Sequence, residues 1–549
     1  MSPLSPFQSL PLHVSEAIAG YYVAPHRLSY ASELAKVKWQ KNAWRVLYDV
    51  TLQVARKIDK GGFTFTRLPR DVKKKKPELY IYVKKVIVDI CYMQEDPSEK
   101  TLSAFYTAWP DNLVFPAARF LSVHLRGNVI RTETADDNGE NEMLDWIAQR
   151  IPTSIPMLQR ASIVYDLVRM YRRESSGMVV AELKMDNLFP AVFQRVKSLE
   201  FRATPIRLDS KCVFMQNCSG FTNLQFSCQG NVGLFHRILE ISAPILEALD
   251  IVNFRCEDLR SLFYHDEGQP MTYPKLQKLK FHFITFVEDQ DIISLDETIV
   301  PFPALTHLSW PTAYTFADDT VFRGNSATLE YLNITLDTNL VNVLDKYKVF
   351  SSGKYSKLRH ISVANSSSIQ VELMGFASFV SYAISLISPA TKSFKLVDYN
   401  PRQPLTDLIP TSIFAENIQV LDLSATKLVL LDMLDLIKLL PNMTDFTCIP
   451  GGIGSEMGKK RGSPLQGLEA EYYPLSHRLR CWVVSHTNSI PLRSIALSSL
   501  ALAILCSNFT FAALPHEKRK LYNFELHKIT TGGGYDKYTE KIKRLCYFD

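Results

Sequence analysis

The chain has 549 residues, 46% apolar and 21% charged, the proportions of a folded protein rather than a disordered one. Sixty-two basic residues against 56 acidic ones leave a formal charge of +6, too small an excess to argue for nucleic acid as a partner. Nine cysteines with no C-x-x-C pair, behind an opening segment Met1–Ser15 that has neither a basic nor an apolar leader region, predict reduced thiols in a cytosolic or nuclear protein rather than a disulfide framework or a zinc site.

Taken in chain order, Ser5 to Asp49 carries Leu10, Val14 and Ile18 at helical spacing beside Pro11, and closes on Asn42-Ala43-Trp44-Arg45. Spacing alone reads this as a helical cap over the first rung of a repeat. Lys73 to Lys76 then precede Leu79 to Cys91, a strand-forming run. Four lysines without interleaved aromatics read as a solvated loop that keeps the strand soluble, not as a nucleic-acid patch. Phe115 to Leu125, with Ala118, Leu121 and Val123, reads as the first rung, and the acidic turn Asp136 to Glu142 leads into a helix.

From here a recurring pattern governs the chain: Pro-x-apolar-x-x-apolar-x-apolar. It is seen at Pro244 with Leu246, Leu249 and Ile251, and at Pro274 with Leu276, Leu279 and Phe281. It returns at Pro303 with Leu305, Leu308 and Trp310, and at Pro441 with Met443, Phe446 and Cys448. Versions without proline place the middle apolar position at 199, 224, 332, 361, 394, 421 and 495. Most successive gaps fall between 24 and 33 residues, the range of a leucine-rich-repeat solenoid, though an irregular one. The unit from Ile418 to Cys448 shows the logic: a strand, a turn, apolar residues at 430, 433, 434, 437 and 440 on one helical face, and Pro441 to stop the helix. Met374 to Ile387 supplies a second such helix.

Strand side chains alternate faces, so the apolar positions build a core and their neighbours form the opposite, concave face. That face is predicted to bind a partner protein through Lys278, Lys280, His307, Ser309, Tyr331, Asn333, His360, Ser362, Val420, Asp422, Asp445 and Thr447. About twelve rungs at about 4.8 Å give a ribbon roughly 55–60 Å long. His307 and His360, separated by one intervening rung, would lie about 10 Å from each other, too far to share a metal.

After Cys448 a Gly- and Lys-rich insertion, Gly451 to Gly467, breaks the pattern, and Leu479 to Val484 resumes it. The insertion resembles a phosphate loop at first sight, but Ile453 stands where glycine is required and Lys460 where serine or threonine is. Ser494 to Leu514 is free of charge and long enough to span a bilayer. Its serines, Asn508 and Thr510 favour instead a repeat strand at Leu492, Ile495 and Leu497, a buried helix and a second strand at Asn508 to Ala512, so no membrane partner is expected. His516 to Leu545 reads as a charged helical cap. The sequence contains no H-E-x-x-H and no G-x-S-x-G, so the expectation is a protein without enzymatic activity, cofactor or metal.

Leu10, Pro11, Val14, Ile18 and the Trp44-Arg45 pair thirty-three residues beyond Pro11 resemble an F-box over about forty residues; His13 and Lys41 depart from that pattern. With repeats following, the chain resembles the fungal F-box/leucine-rich-repeat-like family. The resemblance implies an α/β solenoid whose F-box, through Leu10, Pro11, Val14, Ile18 and Trp44, docks on the Skp-type adaptor of an SCF ubiquitin ligase while the solenoid holds a substrate protein. A leucine-rich-repeat scaffold with no ligase link is the alternative. The expected organisation is an F-box-like segment at 1–60, a connecting region at 61–114, the solenoid at 115–515 with an insertion near 451–474, and a cap at 516–549.

Overall fold

The computed structural model describes residues 51–56, 85–93, 114–131, 138–173, 177–179, 188–203, 218–227, 232–255, 260–265, 268–285, 295–310, 319–336, 338–346, 348–349, 355–365, 376–397, 416–450, 478–484, 492–509, 511–514, 518–531, 542–543 and 545. Leu10, Pro11, Val14, Ile18, Trp44, the lysines 73–76 and the insertion 451–467 lie outside them. The chain divides into two compact units, Met1–Leu276 and Gln277–Asp549. Both are α/β ladders of parallel strands.

In the first unit, β1 (Thr51–Arg56), β2 (Lys85–Met93), β3 (Phe120–Arg131) and β4 (Arg160–Arg173) pair in parallel order. The short β5 (Gly177–Val179) lies antiparallel on the end of β4. The parallel ladder continues from β4 to β6 (Ser198–Ala203), β7 (Asn223–Ser227) and β8 (Ala248–Arg255). Four helices punctuate it among the described residues: α1 (Asn138–Ser154), α2 (Leu188–Phe193), α3 (Val232–Ser242) and α4 (Arg260–Phe263). Helix α1 buries Leu144, Ile147, Ala148 and Ile151, the i, i+3, i+4, i+7 stripe of a helix laid on a sheet. Stacked apolar positions and the helices between them make an aromatic core. Phe201 stacks on Phe226 at 4.9 Å, Phe226 meets Phe235 of α3 at 5.1 Å, and Phe189 of α2 meets Phe201 edge-on at 5.5 Å.

In the second unit each strand pairs in parallel with the next: β9 (Lys278–Thr285), β10 (His307–Trp310), β11 (Tyr331–Leu336), β12 (His360–Asn365), β13 (Ser393–Val397), β14 (Val420–Leu428), β15 (Asp445–Pro450), β16 (Cys481–Val484) and β17 (Phe511–Ala513). Among the described residues the helices are α5 (Thr338–Lys346), α6 (Phe376–Ser385), α7 (Leu430–Leu439), α8 (Leu492–Leu505) and α9 (Arg519–Thr531). Leu279, Leu308, Leu332, Ile361, Phe394, Leu421, Phe446 and Trp482 form one buried column in register, and Phe281, Trp310, Ile334, Val363, Leu396, Leu423 and Cys448 form a second.

A repeated backbone device sets the register. The carbonyl just before each strand accepts two N–H groups from the next rung: Gln277 from Thr306 and His307, Thr306 from Glu330 and Tyr331, Glu330 from Arg359 and His360. The series runs on through Arg359, Lys392, Gln419 and Thr444, and the first unit repeats it at Arg119, Gln159, Lys197 and Thr222. This satisfies polar backbone groups of the turns, and at three rungs a threonine hydroxyl adds a further donor: Thr222 to the Lys197 carbonyl, Thr306 to Gln277 and Thr444 to Gln419.

The structure corrects three expectations. Phe115–Leu125 is not the first rung, because β1 and β2 precede β3 in the ladder. The 78 residues from Leu121 to Leu199 make about three repeat periods, which predicts two further rungs, but one, β4, joins the two: Leu121 aligns with Ala161 and Ala161 with Leu199. Alanine stands there in the leucine position of Pro156-x-Leu158-x-x-Ala161-x-Ile163. Third, Leu492–Leu497 is the start of α8, not a strand. The ladder passes directly from β16, with Trp482 aligned on Phe446, to β17, with no rung between them. An unbroken apolar run has no period to read, and α8 is buried on all sides from Ile495 to Leu505. Ser499 makes that burial possible by donating to the Ile495 carbonyl at 2.8 Å. Among the described residues no helix is long and apolar enough to cross a membrane.

Candidate functional site

The parallel register of the second unit brings the residues flanking the buried column into two rows on the opposite face. One row runs Lys278, His307, Tyr331, His360, Ser393, Val420, Asp445. The other runs Lys280, Ser309, Asn333, Ser362, Lys395, Asp422, Thr447. The residues singled out from β9 to β15 in the sequence therefore lie together. Ser393 and Lys395, which flank Phe394 by the same alternation, belong with them, and nothing beyond that alternation was needed to find them.

The first row is a ridge of rings. His307 stacks on Tyr331 with centroids 5.7 Å apart and planes 19° from parallel, and Tyr331 meets His360 at 6.2 Å. Tyrosine thus fills the rung between the two histidines. The hydroxyl of Thr306 lies 2.8 Å from His307 Nδ1. Partial burial, and next the neighbouring Lys278, hold the His307 imidazole below its ordinary pKa; Glu330 opposes this, while Lys280 and His360 add to it.

The second row is smaller and lower. Ser309 and Ser362 are nearly fully buried beside the ridge, and Asn333 Nδ2 donates to Ser309 Oγ at 3.0 Å. Lys395 pairs with Asp422 on the next rung at 2.7 Å. The second oxygen of Asp422 accepts the Ser424 N–H at 2.9 Å, fixing the carboxylate. Asp445 accepts from Thr444 Oγ1 at 2.7 Å.

Two clusters in the first unit are of a different kind. Lys85 Nζ sits 4.3 Å from the centre of the Phe120 ring, and burial lowers its pKa against the pull of Glu200. On α3, Glu240 draws in three bases: His236 at 3.3 Å and His265 at 3.5 Å on one oxygen, Arg237 at 3.0 Å on the other. Both imidazoles and the guanidinium converge on one carboxylate. Among the described residues no group of three or more His, Cys, Asp or Glu side chains is arranged to hold a metal ion.

What the rows offer is a strip of rings, hydroxyls, an amide and charges of both signs. No protein-family model matches this chain, and no curated protein matches it either.

Proposed function

We propose that the protein is a non-enzymatic recognition module, an irregular leucine-rich-repeat solenoid that holds a partner protein on the two-row face of β9–β15. The observation that supports this most is the stack His307–Tyr331–His360 beside the hydroxyl row. Tyrosine and other rings presented on rigid strands give large contact area at small entropic cost, the composition of protein-binding surfaces. In the ubiquitin-ligase form of this reading, Leu10, Pro11, Val14, Ile18 and Trp44 bind the Skp-type adaptor and the face holds the substrate to be modified, in the cytosol or nucleus. His13 and Lys41, which depart from the F-box pattern, favour the alternative of a scaffold with no ligase link.

Co-precipitation of the full-length chain with the adaptor separates the two. The ligase form expects adaptor binding that is lost in Pro11→Ala/Trp44→Ala and a partner whose turnover slows in the same variant. A partner retained on the face with no adaptor bound and no change in turnover leaves the scaffold. A partner indifferent to Tyr331→Ala and His360→Ala would sink the recognition face itself.

A further inference from the structure

We infer that the face receives an extended segment of its partner with acidic residues at one end and basic residues at the other, the acidic end over Lys278 and Lys280 and the basic end over Asp445. This rests on the recognition reading above and specifies the chemistry of the occupant.

The charges of the two rows are ordered. On β9 the rows carry Lys278 and Lys280, both exposed, and no acid stands in either row until β14. From β14 onward they carry Asp422 and Asp445, and no base. Where the two signs meet, Lys395 and Asp422 neutralise each other at 2.7 Å. Within the two rows the unbalanced charge is therefore positive on β9 and negative on β15. A segment of opposite order gains at both ends, and one of the same order loses at both.

The shape fits an extended chain. The ring ridge of His307, Tyr331 and His360 stands beside the low row of Ser309, Asn333 and Ser362, so a chain can lie along the low row with side chains against the rings. Six inter-strand steps of about 4.8 Å separate β9 from β15, about 29 Å, which about nine extended residues cover.

The test uses the full-length protein and two labelled nine-residue peptides of identical composition, followed by fluorescence anisotropy at low salt. One has three glutamates at one end and three lysines at the other; in the second the same residues are interleaved. The block peptide should bind about tenfold tighter than the interleaved one, with the advantage shrinking as salt rises. Lys278→Glu/Lys280→Glu and, separately, Asp445→Lys should each remove that advantage in variants whose circular dichroism is unchanged. Equal binding of the two peptides, binding by neither, or an advantage that survives both charge reversals overturns the inference. A natural partner that is lost with Tyr331→Ala but indifferent to the charge reversals also overturns it, while leaving the recognition face standing.

Discussion

The indole Nε1 of Trp482 donates to the Sγ of Cys448 across 3.4 Å, one rung apart, with both side chains fully buried. Burial pushes the Cys448 thiol up to about 12, against the hydrogen bond from Trp482, which favours the thiolate. A thiol reacts as its thiolate, so this sulfur is a core atom.

Cysteine reactivity should follow. Cys448, Cys481 and Cys506 are buried, and Cys218 is part-exposed. Brief alkylation with iodoacetamide at pH 8, read by peptide mass spectrometry, should modify Cys218 ahead of the other three. Those three should react only after denaturant is added. Labelling of native Cys448 at the rate of Cys218 would contradict the burial described.

The aromatic core of the first unit makes a second test. Phe226 packs between Phe201 at 4.9 Å and Phe235 at 5.1 Å and is fully buried. Phe226→Ala removes a ring from a site that rings on two sides hold open, so about 3–5 kcal/mol of stability should be lost. Phe226→Leu should lose less. Urea denaturation measures both, and equal midpoints for the wild type and the alanine variant would mean the stack is not formed.

The columns of the core were legible because leucine and its relatives announce themselves at a fixed offset, and a parallel ladder keeps that offset from rung to rung. Legibility failed where a small or polar residue took the apolar place. Ala161 hid β4 in this way. Thr391 holds a buried turn position before β13, where Leu358 and Ile418 stand in neighbouring rungs, and its hydroxyl donates to the Leu358 carbonyl at 2.9 Å with Ser388 beside it; that rung is still legible from Phe394 and Leu396. The face was readable from alternation once the strands were placed. Its ring stack and the Lys395–Asp422 pair were not, since they depend on which rung neighbours which.

Arg323 was likewise invisible to periodicity. Its Nε and Nη2 meet Asp319 Oδ1 at 3.1 and 3.0 Å, while Nη1 donates to the carbonyls of Asp296 at 2.6 Å and Ile299 at 3.2 Å. The fork ties the turn before β10 to the turn before β11. Lysine has one nitrogen and cannot hold both directions. Arg323→Lys should therefore cost about 1 kcal/mol through the lost hydrogen bonds, seen as a lower thermal midpoint. No change would mean the two turns hold without the clamp.

The pH dependence of stability should carry the mark of His307. Its folded pKa is lowered, by partial burial first, then by Lys278, Lys280 and His360, with Glu330 opposing. As pH falls toward and below the ordinary histidine value of 6.5, the unfolded chain takes up this proton before the folded one does. The unfolded state then binds more protons, so acidification costs stability, and the cost vanishes above that value. His307→Phe keeps a ring against Tyr331 and removes the titration. Relative to that variant, the wild type should lose stability between pH 7.5 and pH 5.5 in urea melts. If the wild type instead gains on acidification relative to His307→Phe, the imidazole is held by its acidic neighbour rather than crowded by its basic ones.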